Sequence, residues 1–588
     1  MLVYGDRTCR AGTSATLADL TRAVARATGM PCGIQRHGAL VDVFIEASKL
    51  VQGIADAELE ARRCDADSPA QDAGMGLLMA FAVAIRQSWD TGFAQIAALS
   101  PHLCRPLEAT RLPESVRATD PEGYAFYALF PEAYLEAARG LGSATPNATP
   151  LRVIGIRSIG TGLAALVAAA LGARNPITVR PAGDPFNREI RLSDELAAGL
   201  VRDAARFAIV DEGPGLSGSS FGAVADLLED AGVPAGHIHF FPGHMNGLGP
   251  MASPRHRERW ARASRRAVDF DRLILHSTDP AHRLESWVAD LTGAAETPLH
   301  DLSGGAWRAR HFSDVADWPP SHVQQERRKF LLRASGATWL LKFVGLGREG
   351  AHKFELARQL HVAGFAPEPA GCRYGFLVER WVEQATPLQP HAFDRDALVS
   401  RLAAYIGFRA RAFPAAPDHG ASLSRLLQMA RRNTELGLSA AHARQLEPWE
   451  SEIVALEPRV RRVRGDNRLH PWEWLLTADG RLIKTDAIDH HAAHDLIGCQ
   501  DVTWDIAGAS IEFDLSAAEQ AGLCAAVECV AHTRVDRRLL AFSQPCYAAF
   551  QLGYWSLASH SLAGHPAEAM RTRAAADRYT EVLARLLW

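Results

Sequence analysis

The spacing of hydrophobic residues changes character along the chain. Up to residue 148 apolar positions recur at helical spacing, most clearly over 43–61, 75–89 and 126–141, which predicts a helical N-terminal region. From 149 to 275 short apolar runs alternate with amphipathic stretches, and this pattern is typical of a parallel α/β sheet. The predicted strands are 151–156, 177–180, 207–210 and 238–241.

The pattern becomes β-like again after Lys329. Two apolar runs surround Gly336, and a Gly-rich loop, a helix over 351–363 and a strand over 375–382 follow. Residues after Leu515 read as helices with one apolar face. We therefore predict a multidomain chain of α/β and α+β class. Its parts are a helical region 1–148, a parallel-sheet domain 149–275, a linker 276–318 and a C-terminal domain 319–588.

The stretch from Ala208 to Gly232 has the residues of a phosphate-binding site. A buried strand leads into Asp211 and Glu212, a Gly-rich loop follows, and a helix then begins near Phe221. Backbone N–H groups and the helix dipole favour an anion at such a turn. Acids at the strand end can hold hydroxyls or a metal, so the stretch predicts a ligand with a sugar diol and a phosphate.

This stretch resembles the motif of type I phosphoribosyltransferases that binds phosphoribosyl pyrophosphate (PRPP). The resemblance implies that Asp211 and Glu212 bind the ribose hydroxyls of PRPP, the substrate. It implies that the loop Ser217, Gly218, Ser219 and Ser220 binds the 5′-phosphate. It also implies that an earlier loop contacts pyrophosphate through Arg157, Ser158 and Gly160.

A different class of enzyme fits the earlier loop. Residues Gly160 to Ala165 match G-x-G-x-x-A after a strand, which is a dinucleotide fingerprint and would indicate a nicotinamide-dependent enzyme. The acid downstream, Asp184, lies in a loop rich in Pro and Gly rather than at a strand end. The PRPP interpretation is favoured because it explains both loops at once.

A second group of polar residues lies in the C-terminal half. Lys342 is on a predicted strand, and Glu355 is on the helix that follows. Asp466 lies in a loop after Arg464 and Gly465, and Asp486 ends a later strand. This is the order of a kinase, which needs one acid near the substrate hydroxyl and another on Mg²⁺.

Together with Gly498 and the segment 501–507, these residues resemble aminoglycoside phosphotransferases and choline kinases. The resemblance implies a two-lobed kinase-like domain that uses ATP and Mg²⁺. Lys342 would contact the ATP phosphates, Glu355 would orient Lys342, and Asp466 would act at the acceptor hydroxyl. Asp486 would bind Mg²⁺, with Asp489 as its competitor for that role.

Two residues depart from this family's pattern. Arg464 replaces its histidine, and Glu473 replaces its metal-binding asparagine and becomes a second candidate metal ligand. Another possible ligand set is His490 and His494, which would face one way on a helix and could hold zinc.

Composition narrows the class of protein. The chain has 588 residues, 47% hydrophobic and 22% charged, with a net charge of −4, as expected for a soluble globular protein. That charge predicts no binding to nucleic acid or membrane, and no apolar run is long enough for a transmembrane helix. Nine scattered cysteines without a Cys-x-x-Cys pair fit a reducing cytoplasm.

The two resemblances together predict a bifunctional enzyme acting on small molecules. It would transfer a phosphoribosyl group from PRPP and phosphorylate a nucleoside-like metabolite with ATP. The pairing is similar to a bacterial architecture associated with stress or tellurium resistance. The alternatives are a non-catalytic regulatory protein that senses PRPP or nucleotide, and the nicotinamide-dependent enzyme; the oligomeric state stays open.

Overall fold

The computed structural model describes residues 1–5, 7–142, 150–202, 206–215, 217–249 and 252–588. Asp6, the domain boundary expected at 148–149 and Leu216 of the Gly-rich loop lie outside the described residues. The described chain is a mixed α/β structure. None of its helices is both long and apolar enough to cross a membrane.

The N-terminal region is mostly helical, as its periodicity predicts. Its longest helices extend past the predicted segments on both sides, and the third predicted helix begins later than expected. A short antiparallel pair of strands, Thr8–Gly12 with Ser115–Thr119, was not predicted. The helices are Thr13–Gly29, Ile34–Arg62, Pro69–Asp90, Arg105–Glu108, Glu122–Phe126 and Glu132–Gly142.

The predicted parallel sheet is present and has five strands. In spatial order they are Ile177–Val179, Leu151–Ile156, Arg206–Val210, Ile238–Phe241 and Ser264–Arg265. The strand order reverses at Leu151–Ile156, since the next strand in sequence lies on one side of it and the third lies on the other. Ligands of open parallel sheets bind at such a reversal, beyond the carboxyl ends of the strands.

Helices cover this sheet and connect its strands. They are Gly160–Leu171, Asp194–Val201, Ser219–Asp230 and Pro254–Arg262, and the small hairpin Ala182–Asp184 with Asn187–Glu189 lies between the first two. Gly160–Leu171 is buried along most of its length because it is rich in Ala and packs against Pro69–Asp90. The sheet and the helical region therefore share a core.

An antiparallel sheet of five strands begins the C-terminal part. Its spatial order is His300–Asp301, Lys329–Ala334, Ala337–Phe343, Phe376–Arg380 and Pro369–Arg373. Gly336, with a φ of 71°, makes the predicted turn between the second and third of these. The helix Arg348–Val362 packs on strands Pro369–Arg373 and Phe376–Arg380. This sheet and helix form one side of a cleft.

The other side of the cleft is mainly helical. Two small antiparallel sheets carry the polar loops: Thr386–Pro387, Trp474–Leu476 and Leu482–Lys484 form one, and Arg462–Val463 with Gln500–Asp501 forms the other. The helices are Arg395–Ala412, Leu423–Gly437, Ala440–Arg444, Trp449–Leu456, Val502–Glu512, Ala517–Ala531, Arg537–Ser561 and Pro566–Leu586.

Residues 276–318, expected to be a linker, are packed against the rest of the molecule. They include the short helices Leu284–Trp287 and Ala289–Thr292, and His300–Asp301 pairs with the first strand of the antiparallel sheet. The buried guanidinium of Arg308 makes two hydrogen bonds with Glu568 on the last long helix, at 2.8 and 2.9 Å. The segment thus ties the two sides of the cleft together.

A single hydrophobic core joins parts that the sequence pattern separates. It contains Phe44 of the helical region, Ala164 beside the parallel sheet, and Phe343 and Phe376 of the antiparallel sheet. The helical half of the cleft has its own core. The candidate sites described next are consequently held in one continuous framework.

Candidate functional site

Asp211 and Glu212 follow strand Arg206–Val210 at the carboxyl edge of the parallel sheet, beside the strand at which its order reverses. Neither forms an ion pair with a basic residue of the described chain, and an oxygen of Asp211 accepts a hydrogen bond from the Glu212 amide (2.8 Å). Burial raises the pKa of Asp211 to about 7 and that of Glu212 to about 8. Two adjacent, half-buried acids without counterions are costly to ionise, which is a feature of ligand sites.

The hydroxyls of the Gly-rich loop are already engaged. Ser217 and Ser219 both donate to the carbonyl oxygen of Pro185, at 2.9 and 2.7 Å, and Gly218 takes a left-handed conformation with a φ of 66°. The loop precedes the twelve-residue helix Ser219–Asp230. The loop from Arg180 to Arg188 therefore rests on the predicted phosphate site.

Arg157 does not have the role assigned to it from the sequence. Its buried guanidinium is bound by Asp56 (2.9 Å) and Asp65 and donates to the Thr178 carbonyl oxygen (3.2 Å). Because its side chain is fully buried among these neighbours, it does not face a site for pyrophosphate. Arg157 instead ties the parallel sheet to the helical region.

The cleft of the C-terminal half contains a cavity of about 260 Å³. Lys342 lines it from the antiparallel sheet, and the end of strand Phe376–Arg380 lines it through Glu379 and the residues up to Val382. From the helical side come Glu473, Lys484, Asp486 and His490. Apolar walls with a few convergent charged groups are typical of a small-molecule site.

Lys342 is a cation in this cavity that contacts two carboxylates. Its side chain is 7% exposed, and Nζ contacts Asp486 and an oxygen of Asp489 (2.5 Å). Burial opposes the charge, but these two carboxylates raise the pKa of Lys342. Lys342 is therefore a fixed cation facing the cavity, as predicted for the lysine of a nucleotide site.

Glu355 was expected to orient Lys342, and this expectation is wrong. Its side chain is 49% exposed and pairs with Arg358 on the same helix (2.7 Å). The residue that faces inward is Lys353, two positions earlier, whose Nζ donates to Asp489 (2.8 Å) and to the Val344 carbonyl oxygen (2.9 Å). An acid between two lysines thus replaces the predicted lysine–glutamate pair.

Asp466 and Glu473 lie at the floor of the cleft with a cation between them. Lys484 Nζ is 3.4 Å from Asp466 and 2.7 Å from Glu473. Asp466 also accepts from the Tyr405 hydroxyl (2.5 Å), and its side chain is fully buried. Among the described residues that line the cavity, Glu473 is present and Asp466 is not.

His490 connects Asp466 to the cavity. Nδ1 is 3.4 Å from Asp466, and Nε2 is 3.6 Å from Asp486. Burial opposes protonation of His490, but hydrogen bonding to both acids raises its pKa to about 9. The imidazole is therefore a cation at neutral pH. His490 can act as a base only after its contacts with Asp466 and Asp486 change.

The carboxylates of this cleft suit Mg²⁺, which prefers oxygen ligands. Asp486 is the accessible one, at 34% exposure, whereas Asp489 is 7% exposed and is held by Lys342 and Lys353. Ligand atoms of Asp466, Glu473 and His490 also lie within 4.8 Å of one another. The geometry favours Asp486 as the residue that would hold the ion, and Asp489 as an anchor for the two lysines.

His494 does not join His490 in a zinc site. Its Nε2 is 2.7 Å from Glu122, and Nδ1 is 3.0 Å from the Tyr127 hydroxyl. The segment from Glu122 to Tyr127, which contacts His494, also lies against Glu212 at the end of the parallel sheet. A Cβ placed on Gly123 would be only 3.0 Å from the Glu212 carboxyl carbon. The two candidate sites are therefore neighbours across one turn.

Comparison with known proteins gives weak similarity only. No protein-family model matches the sequence, and no curated protein does. Among solved structures, choline kinase LicA from Streptococcus pneumoniae is 15% identical over 43% of this chain and 89% of that chain, with a TM-score of 0.30. Macrolide 2′-phosphotransferase type I is 14% identical over 51% and 98%, with a TM-score of 0.32. A choline/ethanolamine kinase family protein from Mesorhizobium loti is 15% identical over 44% and 90%, with a TM-score of 0.30. At these values no substrate and no residue role is transferred.

Proposed function

We propose that the C-terminal cleft binds Mg·ATP and transfers its terminal phosphoryl group to a small hydroxyl compound. The observation that carries this proposal is the buried Lys342, held by Asp486 and Asp489 at the wall of a cavity. Phosphoryl transfer requires mainly positioned cations and a metal-binding acid. Lys342 would hold the phosphates and Asp486 the Mg²⁺, which would offset phosphate charge.

His490 would pass the proton of the acceptor hydroxyl towards Asp466. The imidazolium bridges Asp466 and Asp486, and a Mg²⁺ on Asp486 would displace it so that its Nε2 proton leaves to solvent. The neutral ring would then take the hydroxyl proton at Nε2 while its Nδ1–H stays on Asp466. The proposal is tested by incubating the protein with ATP, Mg²⁺ and a panel of amino alcohols, nucleosides and aminoglycosides. Acceptor-dependent release of ADP would support it, and no release with any acceptor would count against it.

A non-catalytic nucleotide sensor is the alternative that one observation favours. Asp466 has one oxygen engaged by Tyr405 and Lys484 and the other by His490, which would suit binding without turnover. Mg·ATP binding without any phosphoryl transfer would identify this case.

We further propose that the parallel sheet binds PRPP as the substrate of a phosphoribosyl transfer. Asp211 and Glu212 support this, since they lie unpaired at the strand-order reversal. The loop at 217–220, which begins a helix, would take the 5′-phosphate through its backbone. The hydrogen bonds from Ser217 and Ser219 to Pro185 would break or move when the phosphate enters.

The double change Asp211→Asn and Glu212→Gln is expected to weaken PRPP binding at least tenfold. Hydrogen bonds to charged groups contribute roughly 1.5–3 kcal/mol each, and the amides keep the size but lose the charge. Calorimetric titration with PRPP measures the change. Asp230→Asn is the matched control, because that exposed acid lies at the end of helix Ser219–Asp230 far from the loop; an unchanged affinity in the folded double variant would refute the PRPP assignment.

The same double variant is expected to be more stable than the wild type near pH 8. The folded protein holds the protons of Asp211 and Glu212 up to about pH 7 and 8, above their ordinary values of 3.8 and 4.5. Stability therefore falls as pH rises through this interval, and the amides remove that loss. One pKa unit corresponds to about 1.4 kcal/mol, so raised pKa values of this size predict a gain of at most about 4 kcal/mol per acid. Denaturation at pH 4 and pH 8 checks this; an equal gain at both pH values would contradict it.

A further inference from the structure

A second and larger cavity lies between the N-terminal region and the C-terminal cleft. Its volume is about 670 Å³, within the range of sites for small molecules. Its walls come from the first residues of the chain, the helix Ile34–Arg62, the start of helix Arg348–Val362, and the loops around His419 and His491. It lies on the other side of the loop that carries His490, and Ala493 and Asp495 line both cavities.

Most of the charged side chains that line this cavity are already paired. Lys49 contacts Asp120 (2.6 Å) and Glu46 (3.3 Å), and Arg7 contacts Glu349 (2.9 Å) and Asp120 (3.4 Å). With Arg348, which lies 3.8 Å from Glu46, three basic side chains balance three acids, and these pairs fix the wall. The net charge of the cavity therefore depends on the lining side chains that are outside these pairs.

The side chains outside these pairs are mainly basic or imidazole groups. Within the described parts of the chain, Arg425 and Arg464 have no ion pair, and Arg425 Nη2 lies 2.7 Å from the position of a Cβ on Gly5, another lining residue. His491 adds a buried Nδ1 that has no hydrogen-bond partner among the described residues. Among the described acids that line the cavity, Asp418 has no ion pair, and it is exposed.

We infer that this cavity binds a small molecule carrying a phosphate group. Two free guanidinium groups match a phosphate, which accepts several charge-assisted hydrogen bonds, and His491 offers a further polar contact. The volume leaves room for a sugar-sized remainder. This inference does not rest on either proposed activity, because neither the nucleotide cavity nor the parallel-sheet loops supply the arginines.

Lys353 gives this cavity a physical connection to the smaller one. It lines the larger cavity, and its Nζ holds Asp489, which in turn contacts Lys342. A phosphate near Lys353 would compete with Asp489 for that ammonium. Binding in the larger cavity is therefore expected to move Asp489, which contacts Lys342 in the smaller cavity.

The test uses inorganic phosphate as the probe and the full chain as the protein. Calorimetric titration with phosphate, at ionic strength held constant with chloride, is expected to show saturable binding. Arg425→Ala and Arg464→Ala are each expected to weaken it roughly tenfold, the effect of one charge-assisted hydrogen bond. Arg425 is exposed and without an ion pair, so its removal leaves folding intact.

Arg432→Ala is the matched control, since Arg432 lies on the same helix as Arg425, is exposed and does not line the cavity. It should bind phosphate as the wild type does. Equal losses in Arg425→Ala and Arg432→Ala, phosphate binding that Arg425→Ala leaves unchanged, or no saturable binding would each overturn the inference. Failure of ATP binding or phosphoryl transfer would bear on the proposed function alone.

Discussion

Replacing Lys342 with Met should reduce ATP-dependent phosphoryl transfer by about 10²–10³-fold, the loss typical of removing one fixed group that stabilises transition-state charge. Methionine keeps much of the side-chain length but cannot hold a phosphate. The change also removes a partner from Asp486 and Asp489, although Lys353 continues to neutralise Asp489. Release of ADP in the presence of the acceptor found for the wild type measures the effect.

Glu355→Gln is the matched control for this variant. Glu355 is on the helix beside Lys342 but points to solvent and pairs with Arg358, so its loss should leave activity unchanged. Lys342→Met with more than a tenth of the wild-type rate, or Glu355→Gln with a comparable loss, would contradict the assignment of the phosphate-binding lysine.

Asp486→Asn should lose Mg²⁺ binding, whereas Asp489→Asn should lose folding stability. Asp486 is the accessible carboxylate of the cavity, so its amide variant should stay folded and lose the Mg²⁺ dependence of ATP binding. Asp489 is buried between Lys342 and Lys353, so its variant leaves the buried ammonium group of Lys353 without a carboxylate and Lys342 with Asp486 alone. Breaking a buried ion pair from one side costs about 3–5 kcal/mol, and we expect a corresponding loss of stability.

Thermal denaturation and calorimetry with ATP, each with and without Mg²⁺, separate the two outcomes. A stable Asp489→Asn protein that has lost Mg²⁺-dependent ATP binding would move the metal to Asp489. An Asp486→Asn protein with unchanged Mg²⁺ dependence would show that the ion is held elsewhere, with Glu473 as the next ligand to test.

The elements that the sequence predicted best are those whose pattern is local. The strands Leu151–Ile156 and Ile238–Phe241 have the predicted bounds, because a short apolar run between turn residues needs only its neighbours to define it. Lys342 and Asp486 both line the cavity of the cleft. Lys342 is on a strand and Asp486 lies two residues past one, so the position of each along its sheet follows from the strand's bounds.

The errors concern groups whose partners are distant in sequence. Arg157 meets Asp56 and Asp65, which come from the helical region, and no motif around Arg157 indicates that encounter. Glu355 and Lys353 are both polar residues on one helix. Their positions in the sequence did not show which of the two side chains faces the interior of the cleft. The observed bond from Lys353 to Asp489 decides it, since a buried cation needs a counterion.

The cation at the floor of the cleft was also missed. Lys484 is fully buried on the strand Leu482–Lys484 and pairs with Glu473. Its sequence signal was a lysine inside an apolar strand, two residues before the predicted metal ligand. A charged residue at an inward strand position is an exception to the strand pattern, and such exceptions are expected at functional sites.

The most direct test of the central claim is an experimental structure of the full chain with Mg²⁺ and a non-hydrolysable ATP analogue. We expect the nucleotide to bind in the 260 Å³ cavity, with its base against Glu379 to Val382, its phosphates on Lys342 and the metal on Asp486. A nucleotide bound instead at Gly160 to Ala165, or none bound in the cleft at saturating concentration, would contradict it.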